Sequence, residues 1–237
     1  MRVDLAATYR LIAKYGWDDM IFTHVSARAP GPGESFLINP YGHLFNEITA
    51  SSLVKVDIEG RVIDDSPFIV SPAGFTIHSA LHEGREDAGC VIHLHTRDGC
   101  AVSAQAHGLL PLTQYAMSQY GDIAYHDYEG PAVDLAERER IVRDIGSKNC
   151  LILRNHGTLT VGRTCADAFM RMYFLERACT TQIAALTAGV EALNQPNQGV
   201  AQHASDHAKP SFDGPIGSFA WPALIRQLNR EDASYAE

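Results

Sequence analysis

Three histidines stand where they could share a metal ion: His93 and His95, one residue apart, and His156 further along the chain. His93-Leu94-His95 follows a short apolar run, Cys90-Val-Ile. Asn155-His156-Gly157 follows another, Leu151-Ile-Leu-Arg154. Side chains two apart on an extended chain point the same way, so His93 and His95 can address one point. A neighbouring strand end would bring His156 to it. Three neutral imidazoles and an open position are a common way to hold catalytic zinc. Imidazole also suits iron and manganese, so ligand type does not choose the metal. The pattern predicts one divalent ion per chain (Zn, Mn or Fe) in a small soluble enzyme.

The elements that must position these residues follow from periodicity. Residues 4–16 read as a helix stopped by Gly16, and 23–28, 36–38 and 52–58 as strands. Residues 29–35 read as a Gly/Pro turn. A helix is expected over 74–86, a buried strand at 90–92, a tightly packed helix over 97–106 and a short strand at 123–125. Helix 132–145, strands 150–153 and 158–161 and a long helix 164–188 complete the body. Residues 190–215, rich in Asn, Gln, Ser, Pro and Gly, read as a loose connector. The tail 216–237 carries Phe219, Trp221, Leu224, Ile225 and Leu228, enough apolar surface to dock on the body or on a neighbouring subunit. The expected division is one domain over 1–192 with a connector and tail over 193–237. Strands and helices mix without regular βαβ alternation, which predicts an α/β three-layer sandwich around a largely antiparallel sheet.

Composition narrows the function. The 237 residues are 46% hydrophobic with a formal net charge of −9. That excess of acid argues against nucleic acid or an anionic membrane as partner. No apolar stretch approaches the roughly 20 residues that span a bilayer, and the N-terminus lacks a signal-peptide pattern. The cysteines are odd in number and form no CxxC, as expected of reduced, buried thiols in a cytoplasmic protein.

Several strings, in order, resemble the class II aldolase/adducin family, and most closely the adducin head domain and its bacterial relatives. They are Phe36-Leu-Ile-Asn-Pro-Tyr-Gly42, Glu47-Ile-Thr-Ala-Ser-Ser-Leu-Val-Lys55, Ala73-Gly-Phe-Thr-Ile-His78 and Ala124-Tyr-His-Asp-Tyr-Glu-Gly130, with the two histidine motifs. The resemblance covers about residues 5–190. It implies an α/β/α fold and a homotetramer with its active site between subunits. It also implies His93, His95 and His156 as ligands of a metal that polarises a carbonyl and stabilises an enediolate.

The departures from the family's aldolases shape the expected chemistry. Their catalytic glutamate lies four residues before the histidine that corresponds to His78, and here that residue is Gly74. Their phosphate-binding turns correspond to Thr23-His24, Tyr41-Gly42 and Pro72-Ala73, with few small donors left. The substrate is therefore expected to lack phosphate and to lie on a roomier floor with more aromatic walls. His24, Tyr41, Gly42 and Gly74 are the candidate substrate-binding residues, suited to a planar or carboxylated compound. Tyr115 matches a tyrosine that acts as proton donor across the subunit interface, and His126 is a candidate for proton transfer. Arg28 and Asn39 could fix a carboxylate or brace loops, and Asn155 could orient a ligand imidazole.

The expected activity is a metal-dependent carbon–carbon lyase, either an aldolase of unphosphorylated compounds or a decarboxylase of aromatic acids. One alternative is a non-haem iron oxygenase that cleaves side chains of phenolic compounds. Another is an adducin-like binding module without chemistry, which the lack of a basic tail counts against.

Overall fold

The fold was described from a computed structural model covering residues 1–31, 34–131 and 134–237. Helix α1 (Arg2–Lys14) buries Leu5, Tyr9, Leu11 and Ile12, and the chain turns off it at Gly16, φ +68°. Strands β1 (His24–Arg28), β2 (Ser35–Ile38) and β3 (Val54–Asp57) follow, then helix α2 (Pro72–Gly84) with proline at its first turn. Next come β4 (Cys90–Leu94) and α3 (Arg97–Ser103), where Thr96 caps the helix by accepting from the Gly99 amide at 3.0 Å. After them lie α4 (Gln114–Gln119), β5 (Ile123–His126) and α5 (Glu137–Ile145). Strands β6 (Cys150–Leu153) and β7 (Gly157–Gly162) form a hairpin that feeds the long helix α6 (Cys165–Leu186). Two further helices close the chain, α7 (Val200–Phe212) and α8 (Pro215–Glu231).

The strands make one sheet in the order β3-β2-β1-β4-β7-β6-β5. Each neighbouring pair is antiparallel except β5–β6, which is parallel. Helices cover both faces. Side chains of α1, α6 and α8 pack with Val25, Ala27, Ile92 and Leu94 on one face, and α3 and α4 extend that layer over Cys150 and Ile152. Ile77 and Leu81 of α2 and Ile141 and Ile145 of α5 pack with Val91, Leu151 and Leu159 on the other. The three-layer α/β architecture and largely antiparallel sheet are those the sequence predicts. Both faces being covered explains why β4 and β6 read as apolar runs rather than alternating ones.

The expectation of a loose connector over 190–215 is corrected. Residues 200–212 are helical because Ala201, Ser205 and Phe212 fall on one buried side, a pattern too sparse to stand out among polar neighbours. Helix α8 lies on the body: the Trp221 indole donates to Asp4 at 3.1 Å, and Lys14 pairs with Glu231 at 2.7 Å. The Gly/Pro turn expected at 29–35 and the helix expected over 132–145 fall partly outside the described residues, at 32–33 and 132–133. Among the described residues, no helix is long and apolar enough to cross a membrane.

Candidate metal centre

Strand alternation decides which side the histidines face. On β4, Cys90, Ile92 and Leu94 point to α1 and α6, whereas Val91 belongs to the core under α2 and α5, and His93 shares its side. His24 of β1 is the register partner of His93, so both imidazoles face the α2 layer. His156 arrives through the β6–β7 turn. There Asn155 takes the left-handed conformation, φ +57°, and the His156 amide donates to the Leu153 carbonyl at 3.1 Å. Gly157 lets this turn close on β4, since a Cβ there would fall on the Leu94 carbonyl oxygen.

The three rings converge. Ring centroids are 4.8 Å apart for His93–His95, 4.8 Å for His93–His156 and 4.7 Å for His95–His156. One nitrogen from each lies within 4.8 Å of the others. Two of the ring protons are directed away from the centre. His93 Nδ1–H donates to the Thr158 carbonyl at 3.1 Å, and His95 Nδ1–H to the Asp19 carboxylate at 3.3 Å. Each ring then turns an Nε2 lone pair inward, and these two nitrogens are 3.0 Å apart. Two lone pairs at that distance repel unless a cation lies between them. Ligands about 2.0–2.1 Å from a tetrahedral ion sit about 3.3 Å from one another, so the His93–His95 pair suits a divalent metal, and the His156 nitrogen, within 4.8 Å of them, would close on the ion.

Electrostatics favours the ligating form. Burial, with the neighbouring imidazoles, holds His93 well below the usual histidine range and brings His156 down to about 4. Burial also lowers His95, against the pull of Asp19. All three rings are neutral near pH 7, as metal ligands must be.

The centre floors a cleft of about 620 Å³. Phe22, Tyr41 and Tyr128 are its aromatic walls, and no lysine or arginine lines it among the described residues. Thr23 and His24 form part of the floor. Thr23 is strained, a β-branched residue at φ +66°, and its buried hydroxyl has no hydrogen-bond partner among the described residues. The Cys100 thiol also lines the cleft. It donates to the His156 carbonyl at 3.0 Å, and burial pushes it up to about 11, so it is not a nucleophilic thiolate.

The other predicted residues are dispersed. Tyr41 lines the cleft, but Gly42 lies on an exposed turn at φ +93° and does not. Gly74 is buried beneath His24: a Cβ on it would stand 2.7 Å from the His24 ring. The floor there is filled by an imidazole rather than enlarged, contrary to the roomier floor expected. Tyr115 packs against Phe174 at 5.3 Å, away from the cleft of its own chain. His126 is buried behind His156, between Asp144 at 2.7 Å and Glu137 at 3.3 Å. Arg28 braces loops, donating to the His82 and Arg85 carbonyls, and Asn39 accepts from the Tyr9 hydroxyl. Sequence reasoning missed Asp19, Thr158 and Cys100. Of these only Asp19 left a signal, as an acidic residue in the irregular segment before β1.

Comparison with known proteins agrees with this fold. The family pattern described as the class II aldolase and adducin N-terminal domain matches residues 3–183. A protein of Caulobacter vibrioides, named provisionally for the class 2 aldolases, is 57% identical over 240 residues, spanning 100% of this chain and 91% of its own. The crystal structure of an aldolase II superfamily protein from Pseudomonas syringae superposes with a TM-score of 0.96 at 51% identity, covering 100% of this chain and 94% of its own. An L-fuculose 1-phosphate aldolase from Glaciozyma antarctica PI12 superposes at 0.86 with 29% identity, covering 100% and 91%.

Proposed function

The chain belongs to the class II aldolase and adducin family, and from that premise we propose that it is a divalent-metal-dependent carbon–carbon lyase for a small, unphosphorylated carbonyl compound. The observation that carries this reading is the pairing of a neutral three-histidine centre with an aromatic cleft that, among the described residues, no lysine or arginine lines. A phosphate brings about two negative charges, and a site that binds it ordinarily offers guanidinium, ammonium or clustered backbone donors. The carbonyl arm of the reading is favoured over the aromatic carboxylate, because the described cleft offers a carboxylate no cationic side chain.

His93, His95 and His156 would hold the metal, which when bound supplies Lewis acidity toward a carbonyl oxygen. Asp19 and the Thr158 carbonyl keep two of the rings in their ligating tautomer. Phe22, Tyr41 and Tyr128 would flank a compact, partly apolar molecule. Tyr115 serves in this reading as a proton donor to a neighbouring subunit's cleft, since it turns from its own. His126, with both ring nitrogens engaged by carboxylates, steadies the wall behind His156.

The test is retro-aldol cleavage by the metal-loaded protein of a β-hydroxy ketone and of its phosphate ester. The reading expects turnover of the free compound at least tenfold above the ester, lost in His156→Ala. Preference for the ester would overturn it.

A further inference from the structure

Residues of β1 and α2 that lie behind the metal centre form a polar ladder. His24, Ser26 and Arg28 alternate along one side of β1, and His78 and His82 stand one turn apart on α2, with Gly74 one turn before them. The contacts zip the two elements together. His24 Nδ1 lies 3.0 Å from His78 Nε2, Ser26 Oγ lies 2.5 Å from His78 Nδ1 and 2.6 Å from His82 Nε2, and His82 Nδ1 lies 2.9 Å from the Ala88 carbonyl oxygen. His78 and His82 are buried, at 0% and 2% exposure.

One end of this ladder fixes all the others. The Ala88 carbonyl can only accept, so His82 carries its proton on Nδ1. Burial keeps His82 neutral, its pKa down to about 3, with the Arg28 cation adding to the effect, so His82 Nε2 is a lone pair. Ser26 then donates to His82, and its oxygen accepts from His78 Nδ1–H. His78, also held neutral by burial, has Nε2 left as an acceptor, and His24 Nδ1–H donates to it. The last lone pair in the series is His24 Nε2. Among the described residues that atom takes no hydrogen bond and is not one of the enclosed atoms lacking a partner, and His24 lines the cleft.

We propose that His24 Nε2 is a fixed hydrogen-bond acceptor in the cleft, its proton held on Nδ1 by a one-way relay through His78, Ser26 and His82 to the Ala88 carbonyl, and that the compound bound there presents it a hydroxyl. Gly74 is the matching half of the device. A side chain at that position would meet the His24 Cδ2 at 2.7 Å and the Nε2 at 3.1 Å, so the glycine leaves room for the imidazole. A carboxylate is a poor neighbour for this lone pair, whereas an alcohol beside the carbonyl donates to it directly. The inference rests on the proposed small-molecule site for the identity of the donor, but the relay is a property of the chain itself. His24 touches the bound compound; Ser26, His78 and His82 are positioning residues that act through it.

Neutron diffraction from the perdeuterated, zinc-loaded protein reads the relay without reference to any activity. Deuterons are expected on Nδ1 of His24, His78 and His82 and on Ser26 Oγ directed at His82. A deuteron on His24 Nε2 would overturn the proposal even if the protein proved to be a lyase. The hydroxyl is tested with hydroxyacetone against methoxyacetone, which differ in that one donor, by ligand-observed NMR. Hydroxyacetone is expected to bind about five-fold more tightly, the effect of one neutral hydrogen bond. The preference should shrink toward parity in Ser26→Ala, whose substitution lies outside the cleft. Equal response of the wild-type protein to the two compounds, including none to either, would overturn the hydroxyl assignment, and an undiminished preference in Ser26→Ala would overturn the relay's control of His24.

Discussion

At the residue scale, what distinguishes His93 and His95 from ordinary buried histidines is the direction of their protons. Buried imidazoles are commonly satisfied at both nitrogens, yet His93 and His95 spend their Nδ1–H groups on Thr158 and Asp19 and turn bare nitrogens toward each other. Asp19 therefore matters through His95. Replacing it by asparagine keeps the shape but removes the charge that favours a strongly donating imidazole. Asp19→Asn is expected to weaken zinc affinity about ten-fold, measured by competition with a chromophoric chelator, with the fold retained. His24 illustrates the same lesson from the other side. Its type and its place beside Ser26 stand in the sequence, but the tautomer depends on a carbonyl at Ala88 that no residue pattern announces.

At the scale of elements, the site is made by how closely strands approach. Gly157 sits where β7 leaves the His156 turn and a Cβ would strike the Leu94 carbonyl. Gly157→Ala must push β7 and β4 apart. It is expected to cost about 2 kcal/mol in stability, read by urea denaturation, and to lower metal occupancy by moving His156 away from His93. These elements also show how much was legible beforehand. The apolar runs 90–92 and 150–153 announced β4 and β6, and the histidines at their ends announced the centre, because a covered sheet writes itself as unbroken hydrophobic sequence. Helices α4 and α7 were not legible. One is six residues long and capped by Thr113, and the other shows only Ala201, Ser205 and Phe212 to the core amid Gln, His, Asp and Lys. The space over Gly74 was misread for a related reason. A glycine in sequence looks like room, and only the packing shows that His24 takes it.

At the scale of the whole molecule, buried titrating groups set the pH range of stability. Glu176 of α6 is 2% exposed and accepts from the Thr96 hydroxyl at 2.6 Å, and burial raises its pKa from the ordinary 4.5 to about 7. The folded state thus holds this proton more tightly than the unfolded chain. Its contribution is full below about pH 4.5 and is lost as pH rises through 7. Glu176→Gln removes the titration and keeps an acceptor for Thr96. Between pH 4.5 and 8, thermal unfolding should show the wild-type protein losing about 3 kcal/mol relative to this variant. His82 works in the opposite sense, depressed to about 3 from 6.5, so its contribution is present above pH 6.5 and is lost on acidification toward 3.

The most direct test of the metal centre is the metal content of the purified protein by elemental analysis, set beside His93→Ala and His156→Ala. One zinc, manganese or iron per chain in the wild-type protein, lost in both variants while circular dichroism stays unchanged, is the predicted result. Absence of metal from the wild-type protein, with no uptake on incubation with zinc, manganese or ferrous iron, would contradict the account.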